Sequence, residues 1–185
     1  MKNGRGNDDG GWTQLSQKYL YESQWYNVRQ DRIRLPTDEL ITYTVVEHSG
    51  YVVIVPLMAD NRLVMEHVYR YTVQETVLEC PSGGIDSDTP EQAARRELRE
   101  ETGYRADTFK SLGSYFGSNG ISTEVYHIFL ATDAVFDGPP ILENTEQIEV
   151  QLVDIDNAFT MALSGEIVDG PSSHAIMLAW HYLNH

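Results

Sequence analysis

The stretch that most constrains this chain is PSGGIDSDTPEQAARRELREETGY, residues Pro81 to Tyr104. Thr89 is a good N-cap, Pro90 stands at the first helical position, and Gln92, three residues past the cap, completes a capping-box pattern. Gly103 stops the helix so begun. Inside it Glu97 and Glu101 stand four residues apart and Glu100 three from Glu97, so at about 3.6 residues per turn all three carboxylates share one face. Ala94 and Leu98 point elsewhere, toward a core, while Glu101 is expected at a solvent-facing position. Clustered carboxylates repel one another and offer the hard oxygen donors that Mg²⁺ or Mn²⁺ requires. The plainer reading is a solvated helix face whose acids are offset by Arg95, Arg96 and Arg99.

A chain of 185 residues is long enough for one core and short for two. Asp and Glu number 28 against 13 Lys and Arg, a formal charge of −15 that repels phosphate backbones and anionic lipid. Nucleic-acid and membrane-surface roles are thereby disfavoured, and an anionic substrate needs cations or a few placed arginines. The single cysteine, Cys80, excludes an internal disulfide and suits a reducing compartment. No apolar run reaches the roughly 20 residues of a membrane span, so a cytoplasmic location is expected.

Met1 to Gly11 offers nothing to bury and reads as a flexible tail, drawn to residue 15. An N-terminal β-sheet region over 16–48 follows, a hairpin of Trp25 to Leu35 and Ile41 to His48 joined at Pro36-Thr37-Asp38. Residues 49–185 form the remaining domain. Tyr51 to Leu57 is nearly all apolar, as in a strand covered on both faces, and Arg62 to Tyr71 alternates, with Leu63, Met65 and His67 opposing Val64, Glu66 and Val68. Further strands are expected at Thr76 to Cys80, Thr108 to Tyr115, Glu124 to Thr132 and Glu149 to Val153. Two helices close the chain, near Ala158 to Leu163 and from Ser172, where Ile176, Ala179, Trp180 and Leu183 fall on one face. Such an order argues for a mixed α/β domain with helices packed on sheet.

Arg96 to Tyr104, Arg-Glu-Leu-Arg-Glu-Glu-Thr-Gly-Tyr, resembles the second half of the Nudix box: Arg, Glu, an aliphatic, any residue, Glu, Glu, any residue, Gly, then an apolar residue. The first half departs from the pattern, with a loop one residue short after Gly83 and Asp88 in place of Glu. The stretch from Trp25 through Leu35-Pro36, Tyr69-Arg70-Tyr71, Leu78 to Gly83 and the closing helices look like the ADP-ribose pyrophosphatase group of that superfamily. The resemblance implies an α/β/α sandwich with a mixed sheet, plus an N-terminal antiparallel sheet exchanged within a homodimer. It also implies metal binding by Glu97, Glu100, Glu101 and the carbonyl of Ser82.

Hydrolysis of a diphosphate brings water to phosphorus through a crowd of negative oxygens, so cations must neutralise the bridge. Arg70 is the candidate for a direct phosphate contact, since a guanidinium grips phosphate with two parallel bonds; its alternative is an ordinary surface arginine. By resemblance the general base comes from a loop after the later strands, where Glu146 is the first choice and Glu143 the second. In some members of the family a box glutamate such as Glu100 serves instead. Arg96 orients Glu97. Trp25 or Tyr26 is a candidate to stack on the base, against the commoner reading of an aromatic in core or interface. Glu79 is a candidate to contact a ribose or a water bound to the metal, and Glu124 belongs to a substrate loop that still fits the group. In that loop Asn119 stands where the group has proline, which brings in GDP-mannose or another sugar nucleotide as alternative substrates. The expected function is metal-dependent hydrolysis of a nucleoside diphosphate sugar, ADP-ribose-like; the alternatives outside catalysis are a silent Nudix-fold nucleotide sensor and an acidic scaffold.

Overall fold

The computed structural model describes residues 10–185, so most of the expected tail lies outside the described residues. The chain divides into two compact units, residues 1–49 with 118–124, and residues 50–117 with 125–185.

The first unit carries a three-stranded antiparallel sheet in the order β1 (Thr13–Glu22), β2 (Asn27–Arg34), β3 (Leu40–Glu47). The expected hairpin is β2 and β3, while β1 is an addition that begins inside the stretch assigned to the tail. It eluded sequence reading because it is exposed along its whole length and so has no apolar alternation to follow. Trp25 and Tyr26 do not extend β2. They sit in the turn before it, where Ser23 Oγ accepts from both their N–H groups at 3.2 and 3.1 Å. The loop 118–124 lies along β3: Val46 donates to the Ile121 carbonyl at 2.8 Å, and Thr123 to that of Val46 at 3.0 Å.

The second unit follows as β4 (Tyr51–Leu57), β5 (Arg62–Arg70), β6 (Glu75–Glu79), β7 (Ser82–Gly84), α1 (Pro90–Thr102), β8 (Tyr104–Arg105), β9 (Thr108–Phe116), β10 (Val125–Thr132), β11 (Val135–Phe136), β12 (Ile148–Asp154), α2 (Ile155–Ser164) and α3 (Gly170–Asn184). Its seven-stranded sheet runs β12-β5-β4-β10-β9, with β6 on β5 and β7 on β4. The β4–β10 pair is parallel and the other pairs antiparallel, so the sheet is mixed. The apolar run of β4 is explained by helices on both faces. Val53, Val55 and Leu57 share a buried cluster with Ala158, Ala175, Ile176 and Ala179 of α2 and α3. Val52 and Ile54 share another with Ala93, Ala94 and Leu98 of α1. Each such aliphatic removed from water contributes about 1.5–3 kcal/mol before entropy is counted.

Both closing helices begin earlier than their apolar periodicity suggests, because carboxylates cap them. Asp154 accepts from Asp156 and Asn157 N–H at 3.0 and 3.2 Å, and Asp169 from Ser172 N–H at 2.8 Å. Leu183, expected on the buried face of α3, is exposed in its last turn, whereas Ile176 and Ala179 are buried.

Beyond the paired ends Leu57 and Leu63, β4 and β5 take different partners, β7 and β6 respectively. The segment β6–Cys80–Pro81–β7 therefore stands as a wedge between them, fixed by Ile54 N–H to the Pro81 carbonyl and Cys80 N–H to Ser172 Oγ, both at 2.9 Å. Cys80 is buried there, and burial pushes its thiol up, which suits an apolar filler rather than a nucleophile.

Candidate active site

Helix α1 is held in place by its own ends. Thr89 Oγ1 accepts from Gln92 N–H while Gln92 Oε1 accepts from Thr89 N–H at 3.0 Å, and Gly103 takes the left-handed conformation, φ 76°, donating to Arg99 O. The helix then aims its acids at the wedge. A Cβ at Gly83 would overlap the Glu97 carboxyl, so a larger residue there would push that carboxylate from its place. Ser82 N–H donates to Glu101 Oε2 at 2.9 Å.

Glu97 and Glu101 are buried, and Glu101 is not the solvent-facing residue expected from the sequence. The wedge covers the face that helical periodicity alone leaves open. Of Glu97, Glu100 and Glu101, only Glu100 keeps substantial exposure.

Arg96 joins several of these groups. It donates to Glu97 Oε1 at 2.7 Å, Glu100 Oε2 at 3.3 Å, Asp88 Oδ2 at 3.1 Å and the Gly84 carbonyl at 2.9 Å. Although burial disfavours its charge, Asp88 and Glu97 hold it firmly protonated. Asp88, which stands at the departure from the family pattern, is thus an anchor for Arg96.

On the sheet side Arg70, at the end of β5, gives two bonds to Glu79 of β6, Nε to Oε1 at 2.9 Å and a second from Nη2 to Oε2. Glu79 is buried, and its hydrogen bond raises Arg70 further above an already basic range. Glu66, directly across from Glu79 in register, was not singled out from the sequence. It has no exposed surface, and neither carboxylate oxygen finds a hydrogen-bond partner. The available signal was its place in the β5 alternation, a carboxylate on the same face as Val64 and Val68.

Burial raises all three inward acids. Glu97 is moved to about 6, against the pull of Arg96. Glu66 and Glu101 are pushed higher still, by burial first, with Glu79 the next influence on Glu66, and Glu66 the next on Glu101. Glu146 also acts on Glu66, Glu97 and Glu101, so its loop stands near them. It is half-buried, whereas Glu143 is exposed; Glu143 N–H donates to Glu146 Oε2 at 2.7 Å. Trp25 and Glu124 belong to the other compact unit, Trp25 exposed and Glu124 half-buried with its N–H on Ser122 Oγ at 3.0 Å.

The donor set suits a hard divalent cation: several carboxylates, a glycine-lined backbone and one buried acid with no partner. Among the described residues, no three His, Cys, Asp or Glu side chains are drawn into a ready-made metal cage. Glu97 and Glu100 lean on Arg96, and Glu101 on Ser82.

A helix carrying such acids, set against a glycine loop on a mixed sheet between helical layers, defines the Nudix class, and residues 48–176 match the NUDIX domain. The chain belongs to the Nudix family and is a Nudix pyrophosphatase. Residues 12–46 match the nucleoside diphosphate sugar hydrolase N-terminal domain. Over 158 residues the chain is 32% identical to an ADP-ribose pyrophosphatase of Mycobacterium tuberculosis, covering 84% of this chain and 76% of that protein. Over 164 residues it is 26% identical to an ADP-ribose pyrophosphatase of Bacillus subtilis, covering 88% and 89%. A crystal structure of an ADP compounds hydrolase superposes with a TM-score of 0.81 at 19% identity, over 93% of this chain and 94% of that one.

Proposed function

We propose that this protein hydrolyses the diphosphate bridge of a nucleoside diphosphate sugar, ADP-ribose or a close relative, to a nucleoside monophosphate and a sugar phosphate. The observation that carries this reading is the set of buried carboxylates, Glu97 and Glu101 from α1 with Glu66 from β5, beside the Gly83 loop and Arg70. Glu97, Glu100, Glu101 and the Ser82 carbonyl would hold Mg²⁺ or Mn²⁺, whose charge would supply neutralisation of the diphosphate oxygens. Arg96 fixes Glu97 and Glu100. Arg70, pre-oriented by Glu79, presents its guanidinium to a phosphate oxygen, and in this reading Glu79 positions Arg70. Glu146 takes the proton from the attacking water, with Glu143 shaping its loop.

The working protein in this reading is a cytoplasmic homodimer, a setting the lone Cys80 thiol suits. The first unit offers Leu15, Tyr19, Leu20, Tyr21, Trp25 and Tyr26 to solvent, apolar surface that a twofold copy would cover. Trp25 then stacks on a substrate base and Glu124 contacts the substrate. Asn119, in the loop with Glu124, favours testing GDP-mannose as a second substrate.

The test is a panel of nucleotide sugars with Mg²⁺ or Mn²⁺ and identification of products. AMP and ribose 5-phosphate from ADP-ribose are expected. No turnover of any nucleoside diphosphate compound would overturn the reading and favour a nucleotide sensor.

A further inference from the structure

Four acids are buried between α1 and the β5–β6 region of the sheet: Glu66, Glu79, Glu97 and Glu101. Three have partners. Glu79 is held by Arg70, Glu97 by Arg96 and Glu101 by the Ser82 N–H. Glu66 is left without one, though it has no exposed surface. Buried polar atoms are paired in the great majority of cases, because leaving water without a replacement bond is costly. Arg70 does not supply that bond, since its Nε and Nη2 are both directed to Glu79. An aliphatic residue like its neighbours Val64 and Val68 would fill the position at no such cost.

We propose that Glu66 is an additional donor to the divalent cation held by the α1 acids, carrying the cation site from the helix onto strand β5. The inference rests on the metal-dependent reading above and adds to it a ligand that the box motif does not contain. Its geometric basis is opposition. Glu97 and Glu101 approach from α1, and Glu66 approaches from the sheet, where register sets it beside Glu79 on one face. Hard cations that take six or more oxygen ligands are enclosed better by donors from two elements than by one helix face. Carboxylates enclosed from both sides repel one another when ionised, and a cation among them relieves that repulsion.

The test measures Mn²⁺ binding to the full chain without nucleotide, by the loss of the free-ion electron paramagnetic resonance signal, alongside thermal unfolding with and without Mn²⁺. Glu66→Gln preserves shape and removes the charge. It is expected to bind Mn²⁺ at least about tenfold more weakly and to lose most of the Mn²⁺-induced rise in Tm, with an unchanged far-ultraviolet circular dichroism spectrum. Glu66→Asp, which keeps the charge but withdraws it by one methylene, should fall between. Should the Gln variant not fold, Glu66→Leu replaces it, because it removes the polar atoms and needs no partner. Wild-type Mn²⁺ number and affinity in either variant would overturn the proposal and leave Glu66 a buried protonated acid. A wild-type protein that binds no Mn²⁺ at all would instead overturn the metal-dependent reading on which the proposal rests.

Discussion

The two units of this protein leave opposite things unsatisfied. In the N-terminal sheet the charges are settled. Buried Asp31 accepts from Arg29 at 3.0 Å, Arg29 also pairs with Glu47, and among the described residues there no buried polar atom is orphaned as Glu66 is. Its apolar residues are what remain in water, with Trp25 65% exposed and Leu20 51%. In the second unit the apolar residues are settled into two cores, and the charge is what has been taken out of water. Exposed apolar surface and buried unpaired charge are both costly in a lone chain. The first is relieved by another apolar surface and the second by a cation. In the proposed function, the first region serves assembly and the second chemistry.

The strongest test breaks the first half of the comparison. Deleting residues 1–48 is expected to abolish both dimer and hydrolysis, although the α/β/α cores lie outside the deleted stretch. Light scattering and activity are read on the same sample. A truncated monomer with full turnover would return Trp25 to a role unrelated to substrate.

Next in size is Glu101→Gln. Its amide oxygen can still accept from Ser82, so the fold survives while a ligand charge is lost. Turnover should fall by roughly 10³-fold, the scale on which charge stabilisation acts in such sites. Excess chelator should do the same to the wild type. Equal rates with and without chelator would sink the metal-dependent reading.

Arg70→Ala comes third. A hydrogen bond between charged groups is worth about 1.5–3 kcal/mol, so kcat/KM for the nucleotide sugar should drop by roughly 10–150-fold with Mn²⁺ affinity changed far less. Matched losses in substrate and metal binding would mean that Arg70 serves mainly to screen Glu79 and Glu101.

What the sequence made legible was local. The capping box of Thr89 and Gln92, the stop at Gly103 and the helical spacing of Glu97, Glu100 and Glu101 depend on neighbours a few residues away. The two-faced burial of β4 could be read because every residue in it is apolar. Strand β1 was hidden because an exposed strand has no periodic core face, and the starts of α2 and α3 because carboxylate caps precede the apolar pattern. The burial of Glu101 was beyond reach for a different reason: the wedge of β6 and β7 that encloses it is a tertiary event to which nothing next to it in the chain refers. For Glu66 the local signal was only its place on one face with Val64 and Val68.

The smallest expected effect sharpens the second half of the comparison. In the unfolded chain a glutamate titrates near about 4.3, whereas in the fold burial and neighbouring acids raise Glu66 to about 8 and Glu101 also well above neutrality. Between those limits the native state holds protons that the unfolded chain has released, so stability must fall as pH rises. The stability contributed is fully present below about pH 4 and is lost as pH climbs through the folded values. His127 and His174 act in the opposite sense, because burial lowers them; stability from that source is present above about pH 6.5 and lost on acidification. Glu97, at about 6, also completes most of its titration below neutrality. A window from pH 7 to pH 8 therefore reads mainly Glu66 and Glu101; above it the thiol of Cys80, which burial also raises and which titrates at about 8.5 when unfolded, adds a loss of the same sign. With chelator present, Tm is expected to decline across that window by about 2–4 °C for each kcal/mol lost. Saturating Mn²⁺ should flatten or reverse that slope, since the cation stabilises the carboxylate forms. A Tm independent of pH in chelator would mean that water reaches these acids in solution, and that the contrast between a settled sheet and an unsettled acid floor is far weaker than their burial indicates.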